Sequence, residues 1–150
     1  MLRIVFDNVQ GQGDLSADEE GHDTTQALET AVLLSLLCDQ RARDEDNVAE
    51  GQDRRGWWAD AYSFVDNDLW GSRLWLLERA KANTGTLLFA REAAEESLQW
   101  MIEDGIAREV QVETSWVEGR KGFMRILVRV FRPDQLAPQL VGPWEVYYAQ

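Results

Sequence analysis

Two stretches in the C-terminal half alternate apolar and polar residues so regularly that they limit what the chain can fold into. Val110, Val112, Thr114 and Trp116 alternate with charged or polar neighbours, and Met124, Ile126, Val128 and Val130 alternate against Arg125 and Arg129. A period of two puts every second side chain on the same face of a strand. The connector between them, Val117 to Gly122, is short and contains Gly119 and Gly122, so the spacing predicts an antiparallel hairpin. Arg132-Pro133 stops its second strand, because proline has no N–H to give to a ladder. A sheet with one apolar face must bury that face against another layer.

Helical spacing upstream supplies the layer. Leu28, Ala31, Val32, Ser35 and Leu36 fall on one side of a first helix from about Thr25 to Leu37, and Asp23 with Gln26 has the spacing of a capping box. Gly71 to Leu77 opens a second, short helix ending near Asn83, with Ser72 placed to accept a hydrogen bond from a first-turn amide. After a turn at Thr84-Gly85-Thr86, Leu87, Ala90, Ala94, Leu98 and Met101 keep the period of a third helix. Its other face carries Arg91, Glu92, Glu95, Glu96 and Gln99, and Gly105 stops it. Leu2, Ile4 and Phe6 alternate with Arg3 and Val5 as an N-terminal strand, and Trp144 to Tyr148 is a candidate edge strand. The predicted fold is α+β: about three helices packed on one face of an antiparallel sheet, built from the hairpin at about 106–131 and the N-terminal strand. Residues 1–150 are expected to form one domain, with a solvated acidic loop at about 7–23 and a mobile acidic loop at about 39–52.

Charge and composition narrow the function. Lys and Arg total 15 against 27 Asp and Glu, a formal charge of -12. Binding to a phosphate backbone draws on clustered cations, so nucleic acid and anionic membranes are excluded as expected partners. A 45% hydrophobic content with seven tryptophans supplies a core without disulfide or metal staples. Cys38 is the single cysteine and sits in an apolar run, where a thiol behaves as a small hydrophobe; a cytosolic folding compartment is expected. Met1 to Phe6 is too short for a signal segment, and no apolar run approaches the roughly 20 residues that cross a bilayer.

Catalytic and metal-binding patterns are weak. His22 has no second His or Cys at ligand spacing, and Asp14, Asp18, Glu19 and Glu20 lack the EF-hand pattern. Neither a phosphate-cradling glycine loop nor a serine nucleophile elbow is found in the sequence. Glu95, Glu96, Glu103 and Asp104 raise the idea of a glycosidase pair, but Glu95 and Glu96 point about 100° apart on a helix, as on a solvated face. No cofactor, metal or small-molecule substrate is expected.

Three strings stand out: Asp53-Arg54-Arg55-Gly56-Trp57-Trp58-Ala59-Asp60, Gly71-Ser72-Arg73-Leu74-Trp75, and Trp100-Met101-Ile102-Glu103-Asp104-Gly105-Ile106-Ala107. In this order the chain resembles the small baseplate protein family of Mu-like phages and prophages, from Ala31 to Phe131. That family is in turn similar to the tail-lysozyme-like wedge subunits of contractile-tail baseplates. The resemblance implies a structural, non-enzymatic virion protein that joins other wedge proteins around the tail tube and supports sheath attachment. The wider group carries an acid-proline-arginine triplet before its first hairpin strand; here Asp104-Gly105-Ile106-Ala107-Arg108 stands there without the proline, and Arg108 is nearest that arginine.

The candidate partner-binding residues are therefore Arg54, Arg55, Trp57, Trp58, Arg73 and Arg108. Indoles beside guanidinium groups are typical of interface hot spots. Each has a plainer alternative. Adjacent residues rarely point the same way, so at least one of Trp57 and Trp58 is expected in the core, Arg73 is expected to pair with an acid of its own chain, and Trp100 is expected in the core. Two other functions rank below assembly: a peptidoglycan-cleaving lysozyme using Glu95 or Glu103 with Asp104, and an acidic decoy imitating nucleic acid.

Overall fold

The computed structural model describes residues 2–7, 12–17, 24–63 and 69–148. The hairpin forms as the alternation requires. Strand β3 (Glu109–Trp116) pairs with β4 (Phe123–Phe131) from Glu109↔Phe131 to Trp116↔Met124, and β5 (Gln139–Tyr147) pairs with the other side of β4, giving the order β3-β4-β5. Met124, Ile126, Val128 and Val130 of the central strand are all buried. β5 begins earlier than the expected edge strand and carries Pro143, which an edge position tolerates.

Helix α1 (Thr24–Leu37) buries Leu28, Val32, Leu33, Ser35 and Leu36. Helix α2 (Thr84–Ser97) lies along β3 and buries Ala90, Ala93 and Ala94, small residues that bring its backbone close to the sheet. These side chains join Val112, the inward residues of β4, Val141, Trp144 and Tyr148 in one apolar cluster. The α+β reading therefore holds, with two long helices.

Several local expectations change. The third helix starts at Thr84, where a turn was expected, because Asn83 caps it by accepting the Thr86 amide at 2.9 Å. It breaks at Leu98, and α3 (Gln99–Glu103) continues separately. The second helix is only a 3-10 turn, Leu74–Leu77, although Ser72 Oγ does accept the Leu74 amide at 3.3 Å. The N-terminal strand β1 (Leu2–Asp7) does not enter the main sheet; it pairs with β2 (Gln12–Ala17) in a ribbon of its own. β2 occupies part of the expected loop at 7–23, and its glycine, aspartate and serine are weak strand formers that gain a ladder only by pairing. Asp23, His22 and the acids at 18–20 lie outside the described residues.

The sheet's second face is charged. Glu145 of β5 receives Arg120 at 2.6 Å and Arg125 at 2.9 Å, and Arg129 pairs with Glu113. Hydrogen bonding from Arg125 first, then from Arg120, holds the Glu145 carboxyl below its ordinary pKa. The folded state therefore binds fewer protons than the unfolded chain near that ordinary value, so stability falls as pH falls. The stability difference between the native chain and Glu145→Gln is expected to be full above about pH 5 and to shrink below about pH 4. Urea midpoints measured across that range check this; a constant difference would show that the pair is not coupled to folding.

Candidate functional site

The first two strings meet at the end of α1: main-chain bonds tie the second to residues 36–40, and the Arg55 guanidinium of the first lies over Trp75 of the second. Ser72 N donates to Cys38 O at 2.8 Å, Gln40 N donates to Ser72 O at 2.9 Å, and Ser72 Oγ donates to Leu36 O at 2.5 Å. This parallel bridge brings Gly71 against the end of α1. A Cβ on Gly71 would stand 2.4 Å from Cys38 O, and its φ of +101° suits glycine alone. Trp75 Nε1 donates to Gln40 O at 2.8 Å, and the Arg55 guanidinium lies 4.5 Å over the Trp75 ring. Arg55 also holds both Glu78 oxygens at 3.0 Å and Asp39 at 2.8 Å.

Arg73 is at the centre of this buckle. It is buried, bonded to Asp46 at 2.7 Å and to Glu96 at 2.9 Å, and lies 5.4 Å over the Phe89 ring. Arg43 also bonds Glu96, and the Arg43 amide donates to Asp46 Oδ2 at 2.8 Å. Asp39 to Asp46, the first part of the expected mobile acidic loop at 39–52, is thus held by contacts, with Ala42 buried and the Asp46 side chain shut away, while residues 47–52 are irregular and mostly exposed. The buried Arg73 explains the contacts: its guanidinium must be paired, and the Asp46 and Glu96 carboxylates pair it. Glu95 and Glu96 lie half-buried at the border of the solvated face expected for them: Glu96 pairs with both arginines, and Glu95 Oε1 accepts the Val112 amide at 3.4 Å.

The third string forms the corner into the sheet. Met101 O accepts both Ile106 N and Ala107 N at 2.9 Å, with Gly105 at φ +72° ending the helix as expected. Arg108 N then donates to Phe131 O at 2.8 Å and starts the ladder, while the Arg108 side chain is exposed and lies over Phe131.

Beside the buckle, aromatic rings step from the interior to the surface. Trp100, half-buried and bonded through Nε1 to Ser35 Oγ at 3.0 Å, meets Trp70 at 5.6 Å between ring centroids. Trp70 meets Trp57 at 6.3 Å, Trp57 meets Trp58 at 5.9 Å, and Trp58 meets Tyr62 edge-on at 6.2 Å. Exposure reaches 42% at Trp57 and 74% at both Trp58 and Tyr62. Asp60 fixes the turn, accepting the Trp70 amide at 3.1 Å. The expectation that one of the tryptophan pair closes the core fails, because Trp57, which leads into the short 3-10 helix Trp58–Tyr62, and Trp58, which opens it, are both exposed.

The six candidate residues are thus divided. Trp57 and Trp58 stand together at the surface, Arg54 donates to Arg43 O at 2.6 Å, Arg55 and Arg73 are engaged within the chain, and Arg108 sits apart at the foot of β3. Sequence reading missed Tyr62 and Trp70 as neighbours of the pair; the aromatic spacing around Asp60 was the available signal.

Residues 28–137 match the phage protein GP46 family. The chain belongs to that family. All three strings, the Arg73 buckle and the aromatic steps fall within the matched GP46 residues. Over 134 residues, 89% of this chain and 88% of the relative, it is 39% identical to the baseplate protein gp46 of Escherichia phage Mu. It is 38% identical over 127 residues to the Mu-like prophage FluMu protein gp46 of Haemophilus influenzae, covering 85% of this chain and 84% of that one. Among the described residues, no helix is long and apolar enough to cross a membrane.

Proposed function

We propose that this chain is a structural subunit of a phage or prophage tail baseplate, acting as one domain in the virion and assembled in the host cytoplasm. The similarity over nearly the whole chain to a protein named as a baseplate component carries this reading. Its work is to join wedge proteins around the tube of a contractile tail and to support sheath attachment, through interfaces and not through bond chemistry.

Two surfaces suit that work. Trp57, Trp58 and Tyr62 offer rigid aromatic area held in place by the buckle, the composition that dominates binding energy at interfaces. Arg54 borders this patch, and Arg55 and Arg73 act by fixing its base. The second surface is the edge of β5, where Leu140 and Tyr147 are exposed and an added strand would gain main-chain hydrogen bonds, with Arg108 marking the opposite end of the sheet.

Mixing the purified chain with the other baseplate proteins encoded beside it is expected to give a complex that survives moderate salt. Changing Trp57 and Trp58 together to alanine is expected to cost about 2 kcal/mol or more, roughly thirtyfold in Kd, with the chain still folded by circular dichroism at the temperature of the binding measurement. Failure to bind any of those proteins would remove the proposal, and clearing of cell walls that depends on Glu95, Glu103 or Asp104 would replace it with the lysozyme reading.

A further inference from the structure

Arginine side chains cap aromatic rings at four places among the described residues: Arg55 on Trp75, Arg73 on Phe89, Arg108 on Phe131 and Arg120 on Phe123. None of these four uses Trp57 or Trp58, although an indole is the best aromatic acceptor of a cation and Trp58 is largely open to solvent. The nearby arginines of the same segment are already committed, Arg54 to the Arg43 carbonyl and Arg55 to Asp39 and Glu78.

The acids nearby are differently placed. Ala42 N donates to Arg54 O at 2.9 Å and Arg54 reaches Arg43 O, so the loop that carries Asp44 and Glu45 starts beside the strand of chain leading to Trp57. Asp44, Glu45, Glu50 and Asp53 are all exposed, in a chain of formal charge -12. An exposed aromatic patch on a chain of formal charge -12, with Asp53 four residues before Trp57, draws cations by field and holds them by ring contact. Guanidinium fits better than ammonium, because it is planar, weakly hydrated, stacks on indole and pairs with a carboxylate through two N–H groups.

Resting on the reading of this patch as a docking surface, we infer that its occupant is a basic, arginine-bearing segment of the partner polypeptide. One guanidinium lies over the Trp58 indole, and neighbouring basic side chains face the acids of the 44–53 loop.

The test titrates the full chain with an eight-residue peptide of alternating arginine and glycine, and with its lysine and glutamate counterparts, following tryptophan emission. The arginine peptide is expected to bind roughly fivefold more tightly than the lysine peptide, and the glutamate peptide not at all. Trp58→Ala combined with Tyr62→Ala is expected to weaken arginine-peptide binding roughly tenfold with an unchanged melting temperature. Asp44→Asn with Glu45→Gln is expected to weaken it and flatten its salt dependence. Equal binding of the arginine and lysine peptides that ignores Trp58→Ala would overturn the inference, since it would report diffuse charge attraction. So would no binding of the arginine peptide at millimolar concentration. If baseplate proteins bind in a Trp58-dependent way while the arginine peptide does not, the docking reading stands and this inference falls. Arginine-peptide binding without any baseplate complex supports the inference and removes the docking reading.

Discussion

Arg73→Ala is expected to lower the unfolding free energy by on the order of 3–5 kcal/mol, the largest loss of any single ionic side chain among the described residues. The side chains of Arg73 and Asp46 are 10% and 8% exposed, so removing the guanidinium leaves a carboxylate shut away from water with its charge partner gone. Glu96 loses one of its two arginines, and the ring of Phe89 loses its cap. Arg73→Lys is expected to fall in between, because one ammonium cannot span both carboxylates as a planar fork does. Arg55→Ala supplies the contrast. Its partners Asp39 and Glu78 are 40% and 54% exposed, so solvent screens the pairs and a loss of about 1 kcal/mol or less is expected. Urea unfolding followed by tryptophan emission measures all three; equal losses for Arg73→Ala and Arg55→Ala would show that burial does not set the strength of these pairs.

Gly71→Ala is expected to cost roughly 3 kcal/mol, a fall in melting temperature of roughly 10 °C. Two separate effects add. The backbone at φ +101° is unfavourable for any residue with a Cβ, and the new methyl would press to 2.4 Å on Cys38 O, the acceptor of the Ser72 amide. Relief requires moving Gly71 away from α1 and opening the bridge between Asp39 and Ser72. Gly51→Ala separates the two effects. Gly51 has φ +80° but nothing within 4 Å of an added Cβ, so it carries only the conformational cost, roughly 1–2 kcal/mol. Calorimetry on both variants checks this, and a Gly71→Ala loss no larger than that of Gly51→Ala would mean the close approach has no energetic weight.

These two residues mark where sequence reading stopped. Periodicity exposed the hairpin and the helical faces because a sheet or helix with one wet side must repeat its apolar residues at a fixed interval. Leu28, Val32 and Leu36, or Met124, Ile126 and Val128, are legible for that reason. An internal acid for Arg73 was also foreseeable in so acidic a chain. Its identity was not, since Asp46 and Glu96 lie 27 and 23 residues away and no local pattern links them to Arg73. The same holds for residues 39–46, which look like part of a solvated loop by composition and are anchored by contacts that exist only once α2 and the Gly71 turn are in place. At Trp57 and Trp58 the surrounding segment has no period, so adjacency was the only guide. It pointed one ring inward, whereas the structure leaves both exposed on a turn that buries none of its own residues.

Hydrogen exchange, read on the free chain and on its complex with the neighbouring baseplate proteins, addresses the central claim most directly. Slowed exchange on assembly is expected at the turn that carries Trp57, Trp58 and Tyr62 and in its support at Trp70, together with amides along the open edge of β5. Unchanged exchange at that turn, with protection confined to other parts of the chain, would contradict the account.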